Sequence, residues 1–182
     1  MQAVAFVVAV GWIGFWLFWL AASTRAKSGR TRWGRFAGVR VAVIVLVLAL
    51  VRAGLFKGVR PVDRPVLWAV GLTLWALGLA LAVWARVHIG RNWGMPMSQK
   101  DDPELVTSGP YAKVRHPIYS GIILAMIGSA VAIGVYWIIA AVVVSGYFIY
   151  SALGEERYMT TVFPESYPEY KRRTKMLVPL IF

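Results

Sequence analysis

The sequence predicts an all-α, polytopic membrane protein with about five transmembrane helices, the last two forming a helical hairpin, followed by a cytosolic C-terminal tail. Two observations predict this fold: an excess of apolar residues, and apolar stretches as long as a bilayer is thick. Of the 182 residues, 59% are hydrophobic and 15% are charged, whereas soluble domains have about 45–50% apolar and about 25% charged residues. A globule of this size could not bury that much apolar surface in its own core.

Three stretches have the length and composition of a single membrane span. A helix needs roughly 20 mainly apolar residues to cross a hydrocarbon core about 30 Å thick. The first stretch has no charge before Arg25 and lacks the basic amino end of a signal peptide, so we expect a retained helix. Arg40 and Arg52, near the ends of the second, can extend toward lipid headgroups. The predicted spans are residues 1–22, 39–56 and 66–87.

A fourth apolar stretch, residues 117–153, contains no charged residue. As one helix it would be about 55 Å long, which exceeds the thickness of any ordinary bilayer. It should therefore fold back near Gly134 and form two spans, residues 117–133 and 135–153. The chain is then one membrane domain, residues 1–182, with its tail beginning at Gly154.

The net charge of +12 lies mainly between the apolar spans. Such charge is typical of a membrane surface, so we expect the lipid bilayer as a partner and no nucleic acid. The first loop, taken through Arg40 at the start of the second span, carries six basic residues and no acid, which places it in the cytoplasm by the positive-inside rule. Residues 89–115 and the tail then face the cytoplasm too. The chain has no cysteine, which excludes thiolate metal sites, and we expect no metal.

Polar residues that could bind a ligand or act in catalysis surround the predicted start of the fourth span. Pro117 suits the first turn of a helix, so Arg115 and His116 would lie just before a helix amino end. Free N–H groups and the helix dipole make such an end an anion site, where Arg115 could hold a carboxylate in bidentate fashion. The alternative is that Arg115 only anchors the helix to headgroups and His116 only packs.

Two adjacent acids, Glu155 and Glu156, follow the last span directly. Carboxylates near lipid are costly and are usually paired or functional. The alternative interpretation is a solvated helix face on which Glu156 pairs with Arg157 or another base. Further on, Tyr167 and Tyr170 share a helix face, and residues 171–175 could form an interfacial basic patch.

These segments resemble the isoprenylcysteine carboxyl methyltransferase family, which includes related phospholipid methyltransferases. The resemblance covers about residues 89–182, and the chain departs from it at residues 174–176, where the family often has a Val-Pro-Arg-like segment. The matching segments are residues 108–111 (SGPY), 115–121 (RHPIYSG), the Glu155-Glu156 pair, and 167–170 (YPEY) leading to Arg173 and Pro179, with Asn92-Trp93 before them.

The resemblance implies that S-adenosylmethionine is the methyl donor, bound in a cytoplasm-facing pocket formed by about residues 89–182. Glu156 and Arg157 are the candidate catalytic residues, with Arg157 orienting an acceptor carboxylate. Trp93, Tyr170 and Arg173 are the candidate substrate-binding residues. The candidate cofactor-binding residues are Asn92, Tyr111, Arg115, His116, Pro117, Tyr119, Gly121 and Glu155.

The implied reaction transfers a methyl group from a sulfonium cation to a lipophilic small-molecule or lipidated acceptor, such as a prenylcysteine-like carboxylate. Because the transfer removes both charges, it benefits from a dry pocket and accurate alignment. Two alternatives remain open. One is an NADPH-dependent membrane sterol-type reductase, which Ile118 and Ile122 disfavour because that class usually has Asn and an acid there. The other is a non-enzymatic scaffold or transport subunit.

Overall fold

The structure is a computed structural model that describes residues 2–24, 29–31, 45, 62–93, 98–100, 104–134 and 136–179. Apart from residue 45, the predicted second span, residues 39–56, lies outside the described residues. The helices are α1 (Gln2–Ser23), α2 (Pro65–Ile89), α3 (Pro117–Ile133), α4 (Tyr136–Val162) and α5 (Ser166–Arg173). Two short 3-10 helices cover Gly90–Asn92 and Gly109–Ala112.

The described helices confirm an all-α, polytopic membrane fold. Three of them, α1, α2 and α4, are long and apolar enough to cross a membrane. The fourth apolar helix, α3, has 17 residues, which corresponds to a length of about 25 Å. It ends at Ile133, and α4 begins at Tyr136, so the predicted hairpin around Gly134 is present. The protein is an integral membrane protein.

Helix α4 is longer than the sequence predicted. We expected it to end at residue 153 and a tail to begin at Gly154, but the helix continues through Val162. Hydrophobicity marks where the apolar stretch ends, whereas the helix continues because glutamate and arginine are good helix formers. Glu155, Glu156 and Arg157 therefore stand on the last turns of a long helix, whose rigid backbone fixes their positions.

A small antiparallel ribbon, which the sequence did not predict, joins two loops. Strand β1 (Gly29–Thr31) pairs with β2 (Ser98–Lys100), with Arg30 opposite Gln99. The first strand lies in the loop after α1, and the second lies in the loop before α3. The pairing therefore brings these two loops together at one end of the helices.

Helices α2 and α3 pack closely because small residues line both facing surfaces. A Cβ atom added at Gly78 would lie 2.6 Å from the carbonyl oxygen of Gly121, and one added at Gly121 would lie 2.6 Å from the nitrogen of Ala82. Small residues allow membrane helices to approach this closely. The antiparallel register sets the amino end of α3 beside the carboxyl end of α2.

We expect Gly78→Ala to destabilise the protein by about 1–3 kcal/mol, the usual cost of overpacking. The new methyl group would overlap the Ala125 backbone, which a side-chain rotation cannot relieve. Unfolding in detergent micelles measures the effect. Gly146→Ala is the matched control, because a Cβ there has no neighbour within 4 Å. Equal unfolding midpoints for the two variants would contradict the close packing.

Candidate active site

The segment leading into α3 is held by the chain that follows α5. The Arg115 N–H donates to the Lys175 carbonyl at 2.8 Å, and the His116 N–H donates to the Met176 carbonyl at 3.1 Å. The Ser120 hydroxyl, in the first turn of α3, donates to the Leu177 carbonyl at 2.6 Å. These bonds fix the amino end of α3, where Pro117 is the first helical residue and is buried, as its position in the sequence predicted.

Arg115, Glu156 and Lys171 form an ion-pair network beside this helix end. Arg115 Nε lies 2.6 Å from Glu156 Oε1, and Lys171 Nζ lies 2.7 Å from Glu156 Oε2. Arg115 Nη1 also donates to the carbonyl of Thr174 at 2.5 Å. The network ties α4 to α5 and to the tail. It also engages Nε and Nη1 of Arg115, the side chain that the sequence suggested for a bound anion. Glu156 pairs with distant bases rather than with Arg157.

His116 and Glu155 form the second half of the site, on the other side of Glu156. His116 Nδ1 lies 3.5 Å from Glu155 Oε2, and His116 Nε2 lies 3.7 Å from Glu156 Oε1. The Tyr119 hydroxyl donates to Glu155 Oε1 at 2.5 Å. The structure thus brings together the residues that the resemblance selected from two segments far apart in the chain.

Aromatic rings form one wall of this cluster. The Tyr119 ring stacks on His116 with centroids 5.3 Å apart and on Phe148 with centroids 4.4 Å apart. Tyr119 and Phe148 are both buried. Through this stack the polar cluster contacts the apolar core, to which Tyr119 and Phe148 both belong. The site therefore lies where the polar ends of the helices meet their apolar parts.

The electrostatic environment of His116 favours its charged form. Burial lowers the pKa of the imidazole, but its close contacts with the Glu155 and Glu156 carboxylates and their negative charges outweigh burial, so the pKa is raised above 6.5. His116 Nε2 is buried and has no hydrogen-bond partner among the described residues. The ring therefore offers an N–H for a further acceptor, such as a ligand carboxylate.

The raised pKa of His116 predicts a stability that depends on pH. A group whose pKa is higher in the folded state stabilises the fold below its unfolded value, here 6.5, and loses that contribution as pH rises through the folded value. We expect His116→Gln to lower the free energy of unfolding more at about pH 6 than at about pH 9. Denaturant unfolding in micelles at both values tests this, and a difference independent of pH would refute it.

Two buried tyrosines, Tyr111 and Tyr170, link separate elements through hydrogen bonds of their hydroxyl groups. The Tyr170 hydroxyl donates to the Tyr111 carbonyl at 2.7 Å, and the Tyr111 hydroxyl donates to the Ala85 carbonyl at 3.4 Å. Burial raises the pKa of Tyr170 to about 12 and raises that of Tyr111 as well. Both phenols are therefore neutral at physiological pH, and they link α5, the turn before α3 and the end of α2.

Asn92 and Trp93 belong to a neighbouring cluster that is organised by Arg86. The Arg86 side chain is 4% exposed. It donates to the carbonyls of Gly90 at 2.9 Å and Ala22 at 2.5 Å, and its guanidinium lies 4.6 Å from the centroid of the Trp93 ring. Arg86 thus neutralises the carboxyl ends of α1 and α2 and holds Trp93. Asn92 donates to Glu104 Oε2 at 2.7 Å.

Three other candidate residues stand outside the polar cluster. Arg157 is exposed on α4, and Arg173 is exposed on α5, where it lies 3.4 Å from Glu169. Gly121 is buried at the contact between α2 and α3, which indicates a packing function. The structure brings none of these three into described contact with His116 or Glu155.

Sequence reasoning missed three residues of the site: Arg86, Phe148 and Lys171. Arg86 carried a signal, because a charge inside an apolar stretch is expensive and usually functional. Phe148 is one of many apolar residues in the stretch 117–153, and nothing local distinguishes it. Lys171 belonged to a run of basic residues that pattern alone could not resolve, since its partner Glu156 is distant in sequence.

Fold and site together define a class: a multi-helix membrane protein with an ionisable cluster at the ends of its apolar helices. The family model described as phospholipid methyltransferase matches residues 66–166, a range that contains α2, α3, α4 and most of the cluster. The chain therefore belongs to the phospholipid methyltransferase family, with which the isoprenylcysteine methyltransferases are grouped, and the resemblance seen in the sequence is confirmed.

Several curated proteins are similar to this chain. The cobalt-zinc-cadmium resistance protein CzcN of Cupriavidus metallidurans is 32% identical over 77% of the chain and 63% of its own length. Protein-S-isoprenylcysteine O-methyltransferase B of Arabidopsis thaliana is 33% identical over 61% of the chain and 58% of its own length. Methanethiol S-methyltransferase 1 of Bradyrhizobium diazoefficiens is 39% identical over 42% of the chain and 27% of its own length. The chain spans less than two thirds of the length of each relative.

Proposed function

We propose that the protein is an S-adenosylmethionine-dependent methyltransferase that methylates a lipophilic acceptor at the membrane boundary. The observation that carries the proposal is the meeting of His116 with Glu155 and Glu156 at the amino end of α3, at 3.5 and 3.7 Å. Family membership supports methyl transfer as the reaction class. The family match also favours this reaction over the reductase alternative.

The residues present fit the methyl donor. S-adenosylmethionine carries an ammonium group, ribose hydroxyls, a carboxylate and a sulfonium centre. The Glu155 carboxylate suits the ammonium or the hydroxyls, and the unpartnered Nε2–H of His116 suits the carboxylate. The Tyr119 ring is stacked between His116 and Phe148, so it supports the wall of the site and is not itself assigned to the cationic sulfur.

The two glutamates take different functions in this proposal. Glu156 is 3% exposed and has an ion pair on each oxygen, with Arg115 and with Lys171. Glu155 is 26% exposed and contacts Tyr119 and His116 in the site. We therefore assign donor binding to Glu155, and we make Glu156 a positioning residue that holds Arg115 and α5 in place.

When bound, the donor supplies an electrophilic methyl group next to the acceptor. The protein contributes a dry wall, formed by Tyr119 and Phe148, and fixed charges that need little rearrangement. Arg157 and Arg173, exposed near the same helix ends, are the candidates that attract an acceptor carboxylate from the membrane surface. An acceptor amine would instead need a base, for which a carboxylate of the Glu155-Glu156 pair is the candidate, because the charged form of His116 has no lone pair to accept a proton.

The acceptor is proposed to be lipophilic because apolar helices surround the site. Tyr150 and Leu153 of α4 are 47% and 42% exposed just before the glutamate pair, so lipid borders the site. A prenylcysteine-like carboxylate agrees with the name of one relative, the protein-S-isoprenylcysteine O-methyltransferase B of Arabidopsis thaliana. The basic first loop supports a cytoplasmic position for this end of the helices, where the water-soluble donor would be available.

Calorimetry of the purified protein in detergent tests the proposal. We expect saturable binding of S-adenosylmethionine and none of NADPH, because the cluster is matched to the donor's groups. Labelled methyl transfer into a total membrane extract, followed by mass spectrometry of the product, then identifies the acceptor. Protein that folds but binds no S-adenosylmethionine would overturn the proposal, and binding of NADPH alone would favour the reductase.

A further inference from the structure

Two buried serines in the apolar helices differ in one respect. Ser129 of α3 and Ser151 of α4 are both 0% exposed. The Ser129 hydroxyl donates to the Ala125 carbonyl at 2.9 Å and accepts from Trp12 Nε1 at 3.1 Å. The Ser151 hydroxyl has no hydrogen-bond partner among the described residues.

The missing hydrogen bond of the buried Ser151 hydroxyl is unusual for a helical serine. Helical serines and threonines commonly bond the carbonyl one turn back, as Thr73 and Thr160 do here at 2.8 Å. In the membrane interior no water replaces a missing partner, so the hydroxyl is costly to keep. Alanine would fill nearly the same volume without that cost.

The position of Ser151 connects it to the site. It lies four residues before Glu155 and three after Phe148, so the three side chains share one face of α4. Phe148 stacks on Tyr119, and Tyr119 bonds Glu155. Ser151 therefore lies about 6 Å deeper in the bilayer than Glu155, on the same wall.

We propose that Ser151 is an acceptor-binding residue whose hydroxyl donates a hydrogen bond to the nucleophilic oxygen or sulfur of the lipophilic acceptor. The inference rests on the proposed methyltransferase function. Glu155 and His116 lie at the polar end of the wall and suit the water-soluble donor. Ser151 lies one helical turn from that cluster, toward the apolar part of α4, where the lipophilic part of an acceptor would lie.

The test compares Ser151→Ala with Ser129→Ala. Three quantities are measured: the unfolding midpoint in micelles, the donor Kd by calorimetry, and the half-saturating concentration of total membrane extract in labelled methyl transfer. We expect Ser151→Ala to raise the half-saturating concentration about tenfold, the effect of one hydrogen bond to an anionic group. The donor Kd should stay within about twofold and the midpoint should not fall, since the fold loses no bond.

Ser129→Ala should show the reverse pattern. It loses two hydrogen bonds of the fold, so its midpoint should fall while the half-saturating concentration stays unchanged. The inference is overturned if Ser151→Ala weakens donor binding, lowers the midpoint as Ser129→Ala does, or leaves every quantity unchanged. If the unmodified protein binds no donor, the methyltransferase proposal fails first, and the calorimetry separates that result from a failure at Ser151 alone.

Discussion

Replacing Glu156 with glutamine is expected to destabilise the protein by roughly 3–5 kcal/mol, the cost of leaving one member of a buried ion pair without its partner. The side chain of Arg115 is 7% exposed and that of Glu156 is 3% exposed, so water cannot replace the lost charge. The amino end of α3 and the tail should then loosen, and methyl transfer should fall with them. Denaturant unfolding in micelles and labelled methyl transfer measure the two effects.

Two companion variants show which partner matters. Lys171→Gln should cost less than about 1 kcal/mol, because the Lys171 side chain is 52% exposed and its ion pair with Glu156 is partly solvated. Replacing Arg115 and Glu156 together with leucine should recover part of the stability lost by Glu156→Gln, since the Arg115 charge is then no longer buried without its partner. Equal losses for Glu156→Gln and Lys171→Gln would contradict the assignment of Arg115 as the main partner.

Glu155→Gln should weaken the binding of S-adenosylmethionine by about 10- to 100-fold, because a charge-assisted hydrogen bond to a cationic or hydroxyl group is lost. Its effect on stability should be much smaller than that of Glu156→Gln, because Glu155 is 26% exposed. Calorimetric titration with the donor measures the change.

Two further variants test whether donor binding depends on the charge of Glu155 itself or only on how that side chain is held. Tyr119→Phe keeps the stack with Phe148 but removes the hydrogen bond to Glu155, so it should weaken donor binding by less than Glu155→Gln does. Glu165→Gln is the matched control, since Glu165 is an exposed acid just before α5. Donor affinity that survives Glu155→Gln within twofold would remove Glu155 from the binding site.

The membrane fold was predictable because the length of each apolar stretch, which the thickness of a bilayer constrains, can be read directly from the sequence. A bilayer sets the length of each apolar helix, and the uncharged stretch 117–153 was too long for one span. The structure has the expected hairpin, with Ile133 and Tyr136 on either side of the turn. The end of α4 was less predictable, since apolar composition does not report how far a helix continues into polar sequence.

The membership of the site was predictable only in part. The motif segments selected His116, Tyr119, Glu155 and Glu156, and the structure brings these residues together. Pattern alone could not choose the partner of Glu156, because Arg115 is 41 residues away in sequence. Nor could it show that Arg86 holds Trp93, a contact that depends on how α1 and α2 end.

By itself, the sequence determined that this chain is a membrane protein, where its apolar stretches lie and which family its polar segments resemble, because these follow from composition and local motifs. Only the tertiary structure decided the pairing of charges and the contrast between the two buried serines. Such properties depend on which groups from distant segments come within hydrogen-bond distance. That distance is set by the close packing of α2 on α3 and by the docking of the tail on residues 113–116.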